Sequence, residues 1–354
     1  MGADEDLIND SELSVHVDVQ KHIVYHVRGN PNPWAETDRH TVEETWERVA
    51  AANGGFLGAG GFGQVFKEVC TQDSRGIKVG RYRAVKVIAK SGPWRDPHRE
   101  GNTKALYKEE LKALAKFSYP RYQSWFVMSF GWYEWADSIY ITMEYIEHGD
   151  LQGYLSERFS EGDTRKIASQ VIMGLIYMHE YGFIHRDLKP QNLLVVDKPP
   201  EKDWYVKISD FGISKQAVDG EDAFSTVIGT QEYSAPEVYL SKSSTRKASY
   251  TRAADMWSLG AICVRLMTGE LPFDSRDIYT YYVSNGPFTP DDALRRCNIS
   301  TAGRDFVQRL MARDASSRLT AMGAMEHNWI SHGSQQSQIA PNKPAYVIAC
   351  HRFT

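Results

Sequence analysis

The sequence has few cysteines and no motif that pairs them. Its 354 residues include four, at positions 70, 263, 297 and 350, and none of them belongs to a CxxC pair. This usage argues against a disulfide framework and against a zinc knuckle, and it is typical of a protein kept in a reducing compartment. The thiols are therefore interpreted as structural or incidental.

Long apolar runs and targeting signals are also missing. The longest apolar stretch, residues 256–267, is too short to span a bilayer. The amino terminus is acidic, without the basic and then apolar order of a secretion signal, and Asp6 stands where an N-myristoylation motif requires Ser or Thr. We therefore expect a soluble intracellular protein, cytoplasmic or nuclear, with no membrane partner.

The chain also lacks an excess of either charge. Its 41 Lys and Arg nearly balance 45 Asp and Glu, so no global attraction to nucleic acid is expected. With 42% hydrophobic residues, 27 Gly and only 14 Pro, the composition is that of a folded globular protein rather than a disordered or collagen-like one. A chain of this length predicts two or three compact units or one large two-lobed fold.

The first fifty residues predict two local elements. Apolar residues alternate with polar ones over 15–19, and a second apolar run covers 23–27, which together predict a small hairpin. Thr41 and Glu44 have the spacing of a capping box, so a short helix is expected from there to about residue 52. No catalytic motif is visible in this region.

The patterning then changes from strands to helices. Residues 54–143 contain mainly strand-like segments, and helical periodicity dominates afterwards. Residues 166–182 place their apolar side chains on one helical face, and residues 254–269 are apolar on all sides, as in a fully buried helix. The outline is a small strand-rich lobe followed by a larger helical lobe, with residues 334–344 as a linker or tail.

A glycine-rich segment stands at the start of the strand-rich part. Glycines let the backbone approach a polyphosphate closely, although the GxGxxG pattern also marks dinucleotide-binding loops and plain turns. A dinucleotide-binding loop opens a helix, whereas the residues after this segment, 64–69, resemble a strand. We therefore expect a hairpin that covers a phosphate group. The segment comprises Gly58, Ala59, Gly60, Gly61, Phe62 and Gly63.

Lys86 lies inside an apolar strand. Its neighbours Val85 and Val87 must point to the opposite face of the sheet. The alternative without a functional role is a lysine at a strand edge whose amine reaches solvent. Glu110, on a later helix, is the expected ion-pair partner, and it is preferred over Glu109 because it shares a helical stripe with apolar residues.

The densest group of chemically active residues lies between positions 185 and 212. Asp187, Asn192 and Asp210 supply two acids and an amide. Near a phosphate-binding loop, such residues provide a base for a hydroxyl group and oxygen ligands for a hard divalent cation. Taken singly, they would be interpreted as charges on a solvated loop.

The order of these motifs resembles that of the eukaryotic protein kinase family over about residues 54–332, and the serine/threonine type in particular. The matching motifs are the glycine-rich segment, Ala84-Val85-Lys86, the helical glutamate, the HRDLKPQN stretch from His185 to Asn192, Asp210-Phe211-Gly212, Ala235-Pro236-Glu237, Asp255 to Gly260, and Arg318.

The resemblance implies an α+β, bilobal fold. The N-lobe, residues 53–144, is small and β-rich with one main helix, and the C-lobe, residues 145–332, is larger and α-helical. Residues 1–52 are then an N-terminal extension of unknown role, and residues 333–354 a C-terminal tail. Residues 327–330 resemble the closing HPW-type motif of calmodulin-dependent-like kinases, with Asn in place of the usual Pro. A monomer is expected.

The resemblance also implies roles in phosphoryl transfer. Lys86, held by Glu110, is expected to contact the α- and β-phosphates of ATP. Asp187 is expected to orient the substrate hydroxyl and accept its proton, while Asn192 and Asp210 hold Mg²⁺.

Lys189 completes this expected set by stabilising the γ-phosphate. With Pro190 it matches the serine/threonine pattern, so the expected substrates are protein Ser and Thr hydroxyls. Two rival functions are a pseudokinase scaffold, which binds ATP or partners without efficient transfer, and a dinucleotide-dependent oxidoreductase, which only the glycine motif supports.

The expected nucleotide pocket is largely apolar, and its residues could equally be core packing. Besides the glycines, it comprises Val65 and Ala84 above the adenine, Leu194 below it, Met143 as gatekeeper, Glu144 and Ile146 in the hinge, and Asp150 near the ribose.

The segment between Asp210-Phe211-Gly212 and Ala235-Pro236-Glu237 predicts a regulatory loop. In similar kinases the usual phosphosite stands where Thr226 does, and the adjacent Ser225 is a second expected phosphosite. A phosphate there would bring close to two negative charges to Arg186 and Lys215 and order the loop. The resemblance therefore implies activation by an upstream kinase or by trans-autophosphorylation; the alternative is an unmodified surface threonine.

Four further positions are expected to be structural. Glu237 and Arg318 resemble a buried ion pair of the family, and Asp255 is expected to bind backbone amides of the catalytic loop. Thr230 is expected to contact Asp187 and its neighbour Lys189.

Overall fold

A computed structural model of the protein describes residues 12–18, 23–28, 42–50, 53–60, 63–74, 79–90, 111–210, 215–216, 231–241, 251–273, 275–283 and 286–331. Within them no helix combines the length and apolar character needed to cross a membrane.

The N-lobe is built on one antiparallel sheet of eight strands. Its order is β1-β2-β3-β5-β6-β8-β7, and β4 pairs with β5. The helical residues 111–117 (α1) follow β6. The strands are β1 (Ser14–Asp18), β2 (Ile23–Arg28), β3 (Val42–Arg48), β4 (Phe56–Gly60), β5 (Gly63–Asp73), β6 (Tyr82–Ala89), β7 (Ser129–Trp135) and β8 (Ser138–Glu144).

The amino-terminal hairpin is confirmed, but the helix expected from Thr41 to about residue 52 is wrong. β1 and β2 pair in antiparallel register, and β3 occupies the place of the expected helix. β3 pairs with β2 on one side and with β5 on the other. Because two neighbouring strands satisfy its backbone groups, this pairing prevails over the local capping signal, as is common for strands.

The sheet curls until its first and last strands meet. The backbone amide of Leu13 donates to the carbonyl of Trp132 at 2.8 Å, and Glu12 forms a parallel bridge with the same residue. Since Trp132 lies in β7 and Leu13 directly precedes β1, the sheet closes on itself. Residues upstream of the expected boundary at 53 are therefore part of the same sheet.

The interior of this closed sheet contains charged side chains. Arg83 donates from Nε and Nη2 to Oε2 of Glu68, at 2.8 and 2.6 Å, and both residues are buried. Arg81 forms a salt bridge with Glu44. The ring of Trp46, which is 1% exposed, faces both guanidinium groups, at 4.2 Å from Arg83 and 4.8 Å from Arg81. Each buried charge is thus paired, as burial requires.

The C-lobe is helical, as the periodicity predicted. The amide of Asp163 donates to Oγ of Ser160, which caps the first long helix, and the buried residues of that helix include Ile167, Val171 and Leu175. The helices are α2 (Glu161–Glu180), α3 (Pro236–Ser241), α4 (Arg252–Thr268), α5 (Ser275–Val283), α6 (Pro290–Arg296), α7 (Thr301–Leu310), α8 (Ala321–Glu326) and α9 (Asn328–Ser331), with the short strands β9 (Phe183–Ile184), β10 (Leu193–Asp197), β11 (Tyr205–Ile208) and β12 (Lys215–Gln216).

α4 is the central helix of the C-lobe. It is buried along almost its whole length and packs against α2 and α7, which confirms the fully buried helix expected at residues 254–269. Arg318 joins α3 to this core, because Nη1 and Nη2 donate to the two carboxylate oxygens of Glu237 at 2.7 and 2.8 Å. The expected ion pair between these two residues is confirmed.

Candidate active site

The face of the N-lobe sheet opposite the buried charges carries the residues expected around a nucleotide. In register, Val65 lies opposite Lys86, and Ala84 lies opposite Met143. Cross-strand partners share a face, and so do residues two apart along a strand. These four side chains therefore lie on one side of the sheet, where the Lys86 side chain is buried.

The described glycines of the glycine-rich segment lie at the ends of two paired strands, as expected for a hairpin. Gly58, Ala59 and Gly60 end β4, and Gly63 begins β5 opposite Gly60. Gly63 has a φ of 144°, and a Cβ atom there would lie 2.2 Å from the carbonyl oxygen of Val87. Only glycine fits such a position. The hairpin thereby approaches the strand that carries Lys86.

The segment after β8 leads to the floor of the cleft. Asp150 pairs with Leu194 in an isolated bridge, so the end of this segment lies against β10. The carboxylate of Asp150 accepts a hydrogen bond from the amide of Gly153 at 3.1 Å and caps a short 3-10 helix. Burial raises the pKa of Asp150, and the backbone hydrogen bonds only partly oppose it. Ile146 and Leu194 are half-buried.

The loop between β9 and β10 brings together two expected catalytic residues, Asp187 and Lys189, and the expected magnesium ligand Asn192. Nζ of Lys189 lies 2.6 Å from Oδ2 of Asp187. The side-chain amide of Asn192 donates to the backbone carbonyl of Asp187 at 2.7 Å and to its Oδ2 at 3.3 Å. Asp187 and Asn192 are buried. The carboxylate is thus held in one orientation, next to a cation.

Asp255, at the start of α4, holds the backbone of this loop. Its carboxylate accepts hydrogen bonds from the amides of His185 and Arg186, each at 2.9 Å, and contacts Nε2 of His179 at 2.8 Å. Burial disfavours the charge of Asp255, but the interactions with His179 and His185 outweigh it and lower the pKa. Arg186 has a φ of 69°, an uncommon conformation that these bonds hold. The expected role of Asp255 is confirmed.

Asp210 links the two lobes. Its Oδ1 accepts a hydrogen bond from Nζ of Lys86 at 2.7 Å. The preceding residue, Ser209, donates its amide to the carbonyl of Asn192 at 2.9 Å. Lys86 in the N-lobe, and Asp210 and Asn192 in the C-lobe, therefore border one cleft.

The cleft offers ligands that fit a magnesium ion. The amide nitrogen of Asn192 is committed to Asp187, which leaves the amide oxygen as its free ligand atom, and Asp210 adds a carboxylate. Hard oxygen donors of this kind are those that Mg²⁺ prefers.

Several expected residues lie outside the described part of the chain. Lys215 is described through its backbone only: in β12 it pairs with Ile184, two residues before Arg186. The undescribed residues are Glu110 and its alternative Glu109, Gly61, Phe62, Ser225, Thr226 and Thr230.

Lys207 is not among the residues predicted from the sequence; its amine contacts the carboxylate of Glu144 at 2.7 and 2.8 Å. The available signal was the one used for Lys86, since Lys207 also lies between two apolar strand residues, Val206 and Ile208.

Comparison with known proteins agrees with this geometry. The protein kinase domain family matches residues 52–330. The chain is 33% identical over 271 residues to the serine/threonine-protein kinase RAD53 of Saccharomyces cerevisiae, covering 73% of this chain and 31% of that protein. It is 33% identical over 279 residues to calcium/calmodulin-dependent protein kinase type 1 of Caenorhabditis elegans, covering 78% and 72%.

A solved structure is similar as well. The crystal structure of Rad53 residues 1–466 in complex with AMP-PNP matches with a TM-score of 0.57 and 30% identity, covering 80% of this chain and 65% of that one. The chain therefore belongs to the protein kinase family, as the resemblance predicted. Its relatives identify it as a serine/threonine protein kinase with the mixed α+β, two-lobed fold.

Proposed function

We propose that the protein transfers the γ-phosphoryl group of ATP to serine and threonine hydroxyls of protein substrates. The observation that carries the proposal is the contact between Lys86 and Asp210 at 2.7 Å. It joins the sheet of one lobe, next to the glycine hairpin, to the segment that follows β11 in the other lobe, as a site for a triphosphate requires. The AMP-PNP in the Rad53 structure supports the same choice of nucleotide.

Each side chain in the cleft then has a role. The substrate hydroxyl gives its proton to the carboxylate of Asp187 as its oxygen bonds to the γ-phosphorus, and the bond from that phosphorus to the β–γ bridging oxygen breaks to release ADP. Lys189, 2.6 Å from this carboxylate, stabilises the charge on the transferring group. Lys86 binds the α- and β-phosphates.

Asn192 and Asp210 would hold Mg²⁺ through their oxygens. When bound, this ion neutralises charge on the phosphates.

The nucleotide is held by the face of the N-lobe sheet that carries Lys86 and by the hinge. Val65 and Ala84 cover the adenine from above and Leu194 supports it from below. The backbone of residues 144–146 pairs with the adenine edge, and Asp150 lies near the ribose.

A transfer assay tests this proposal. The purified chain is incubated with ATP, Mg²⁺ and a degenerate peptide library containing Ser, Thr or Tyr acceptors, beside the Lys86→Met and Asp187→Asn variants. We expect phosphate on Ser and Thr peptides with the wild type and its loss in both variants. Equal incorporation by all three proteins overturns the proposal, and ATP binding without transfer by the wild type establishes the pseudokinase alternative.

We also propose that phosphorylation of Thr226 activates the enzyme. The support is the resemblance to similar kinases, together with the pairing of Lys215 with Ile184, which brings its backbone close to Arg186. The test compares the untreated wild type, the phosphatase-treated wild type and Thr226→Ala, with Ser225→Ala as the matched control. We expect only the untreated wild type and the control to be fully active. Equal activity of all forms contradicts activation through Thr226.

A further inference from the structure

An ion pair between a buried lysine and a partly exposed glutamate connects the hinge to the strand that leads to Asp210. Nζ of Lys207 lies 2.8 Å from Oε1 and 2.7 Å from Oε2 of Glu144. The Lys207 side chain is 8% exposed and that of Glu144 24%. Because the buried amine contacts both carboxylate oxygens, the pair is held more firmly than a salt bridge between two exposed side chains.

Both the backbone and the side chain of Glu144 are held by hydrogen bonds. It is the last residue of β8, and its amide donates to the carbonyl of Met128 at 2.9 Å. Its carboxylate also accepts a hydrogen bond from the amide of Met128, at 3.3 Å. The side chain is therefore directed away from the sheet toward Lys207, and the chain continues directly into the segment proposed to contact adenine.

Lys207 is equally well fixed. It lies in β11, where the next residue, Ile208, pairs with Leu193 of β10. The amide of Ile208 also donates to the carbonyl of Trp125 at 2.8 Å. Three residues after Lys207 comes Asp210, whose carboxylate contacts Lys86. A displacement of Lys207 would therefore shift the aspartate at the phosphate end of the cleft.

We propose that Lys207 and Glu144 are positioning residues for ATP, which fix the distance between the adenine end and the phosphate end of the nucleotide site. The inference rests on the proposed function, because it assigns the hinge and Asp210 to one nucleotide. Neither side chain touches the reacting atoms. Loss of the pair weakens ATP binding, since the two ends of the site are no longer held at the spacing that the nucleotide needs.

The variants are chosen to separate positioning from folding. Glu144→Gln keeps the shape of the side chain and removes its charge, and Lys207→Met removes the amine. Lys207→Arg restores a cation that can contact a carboxylate through two N–H groups. The matched control is Lys202→Met, an exposed lysine near β11 that pairs with Asp197 at 2.9 Å.

The readouts are the KM for ATP, kcat, and ATP affinity by calorimetric titration. Because loss of either side chain removes the contact that holds the hinge against β11, we expect Lys207→Met and Glu144→Gln each to raise the KM for ATP roughly tenfold. kcat should change less than about threefold, Lys207→Arg should recover most of the affinity, and Lys202→Met should match the wild type.

A double variant separates coupling from independent effects. If the pair acts as a unit, Glu144→Gln combined with Lys207→Met binds ATP no more weakly than either single variant. An ATP affinity of Glu144→Gln or Lys207→Met equal to that of the Lys202→Met control overturns the inference. So does a drop in kcat with unchanged ATP affinity. Should Lys207→Met fail to fold, Glu144→Gln and Lys207→Arg decide the question.

The titration also distinguishes this inference from the proposed function. It measures ATP binding without turnover, so a wild type that binds ATP and transfers no phosphate overturns phosphoryl transfer alone. The affinities of the variants then still decide the role of the ion pair.

Discussion

Asp187 and Lys189 form an ion pair inside the catalytic loop, with 2.6 Å between Oδ2 and Nζ. Asn192 donates to the same carboxylate oxygen. The proposed base and the cation proposed to stabilise phosphate therefore lie next to each other, and Asn192 restricts the orientation of the carboxylate.

We expect Asp187→Asn to lose catalysis without losing its fold. Asparagine keeps the shape of the side chain but cannot accept the proton, so kcat should fall at least about 100-fold, within the range of general base catalysis. Steady-state kinetics with a Ser peptide measure the change. The control is Asp203→Asn, whose aspartate side chain is 76% exposed and pairs with Lys166. An Asp187→Asn variant with the kcat of this control contradicts the role of base.

Trp46 is expected to be a major source of N-lobe stability. It is 1% exposed and packs beside Arg81 and Arg83, so Trp46→Ala should lower the free energy of unfolding by about 3–5 kcal/mol. Urea denaturation of the nucleotide-free protein measures this. Phe56→Ala, at a ring that is 37% exposed, serves as control, and equal midpoints for the two variants would show that Trp46 is not a core residue.

Residues 12–48 are expected to be required for the kinase domain to fold. A chain that begins at residue 53 lacks β1–β3, which exposes the second half of β5 as an unpaired edge and opens the closed sheet. Exposed edges of this kind promote aggregation. We expect this chain to aggregate, while a chain that begins at residue 12 melts cooperatively. Size-exclusion chromatography and thermal melting compare them; the same melting temperature for both chains rules out the requirement.

The grouping of the candidate site residues was predictable because their signals are local. Asp187 and Asn192 belong to one short loop, and the alternation around Lys86 indicated which face of the sheet it shares with Ala84. β3 was mispredicted because a capping box is local, whereas the partners of that strand lie elsewhere in the chain. The pairing of Lys207 with Glu144 spans 63 positions, and strand alternation indicates a direction but not a partner.

The ion pair between Arg318 and Glu237 should contribute strongly to C-lobe stability. Arg318 also donates to the backbone carbonyls of Ala312 and Ala253, so it joins three segments. Arg318→Met leaves the carboxylate of Glu237 without its partner, and the expected loss of unfolding free energy is about 3–5 kcal/mol. Chemical denaturation measures it, with the exposed Arg295→Met as control. A loss no larger than in the control would mean that the pair contributes little.

The lowered pKa of Asp255 predicts how stability changes in acid. Because its carboxylate binds protons less readily in the folded chain than at the ordinary value of 3.8, Asp255 contributes stability that is fully present above about pH 5 and is lost as the pH falls through the folded pKa. The difference in unfolding free energy between wild type and Asp255→Asn should therefore be constant near neutrality and shrink below about pH 4.

Asp150→Asn is a control that should behave in the opposite way, because the pKa of Asp150 is raised. As the pH rises above the ordinary value of 3.8, the wild type should lose stability relative to this variant. Denaturant titrations from roughly pH 2 to 7 cover the pH ranges in which both carboxyl groups titrate and measure both differences. If the unfolding free energies of wild type and Asp255→Asn change in parallel down to the lowest pH, the lowered pKa of Asp255 is contradicted.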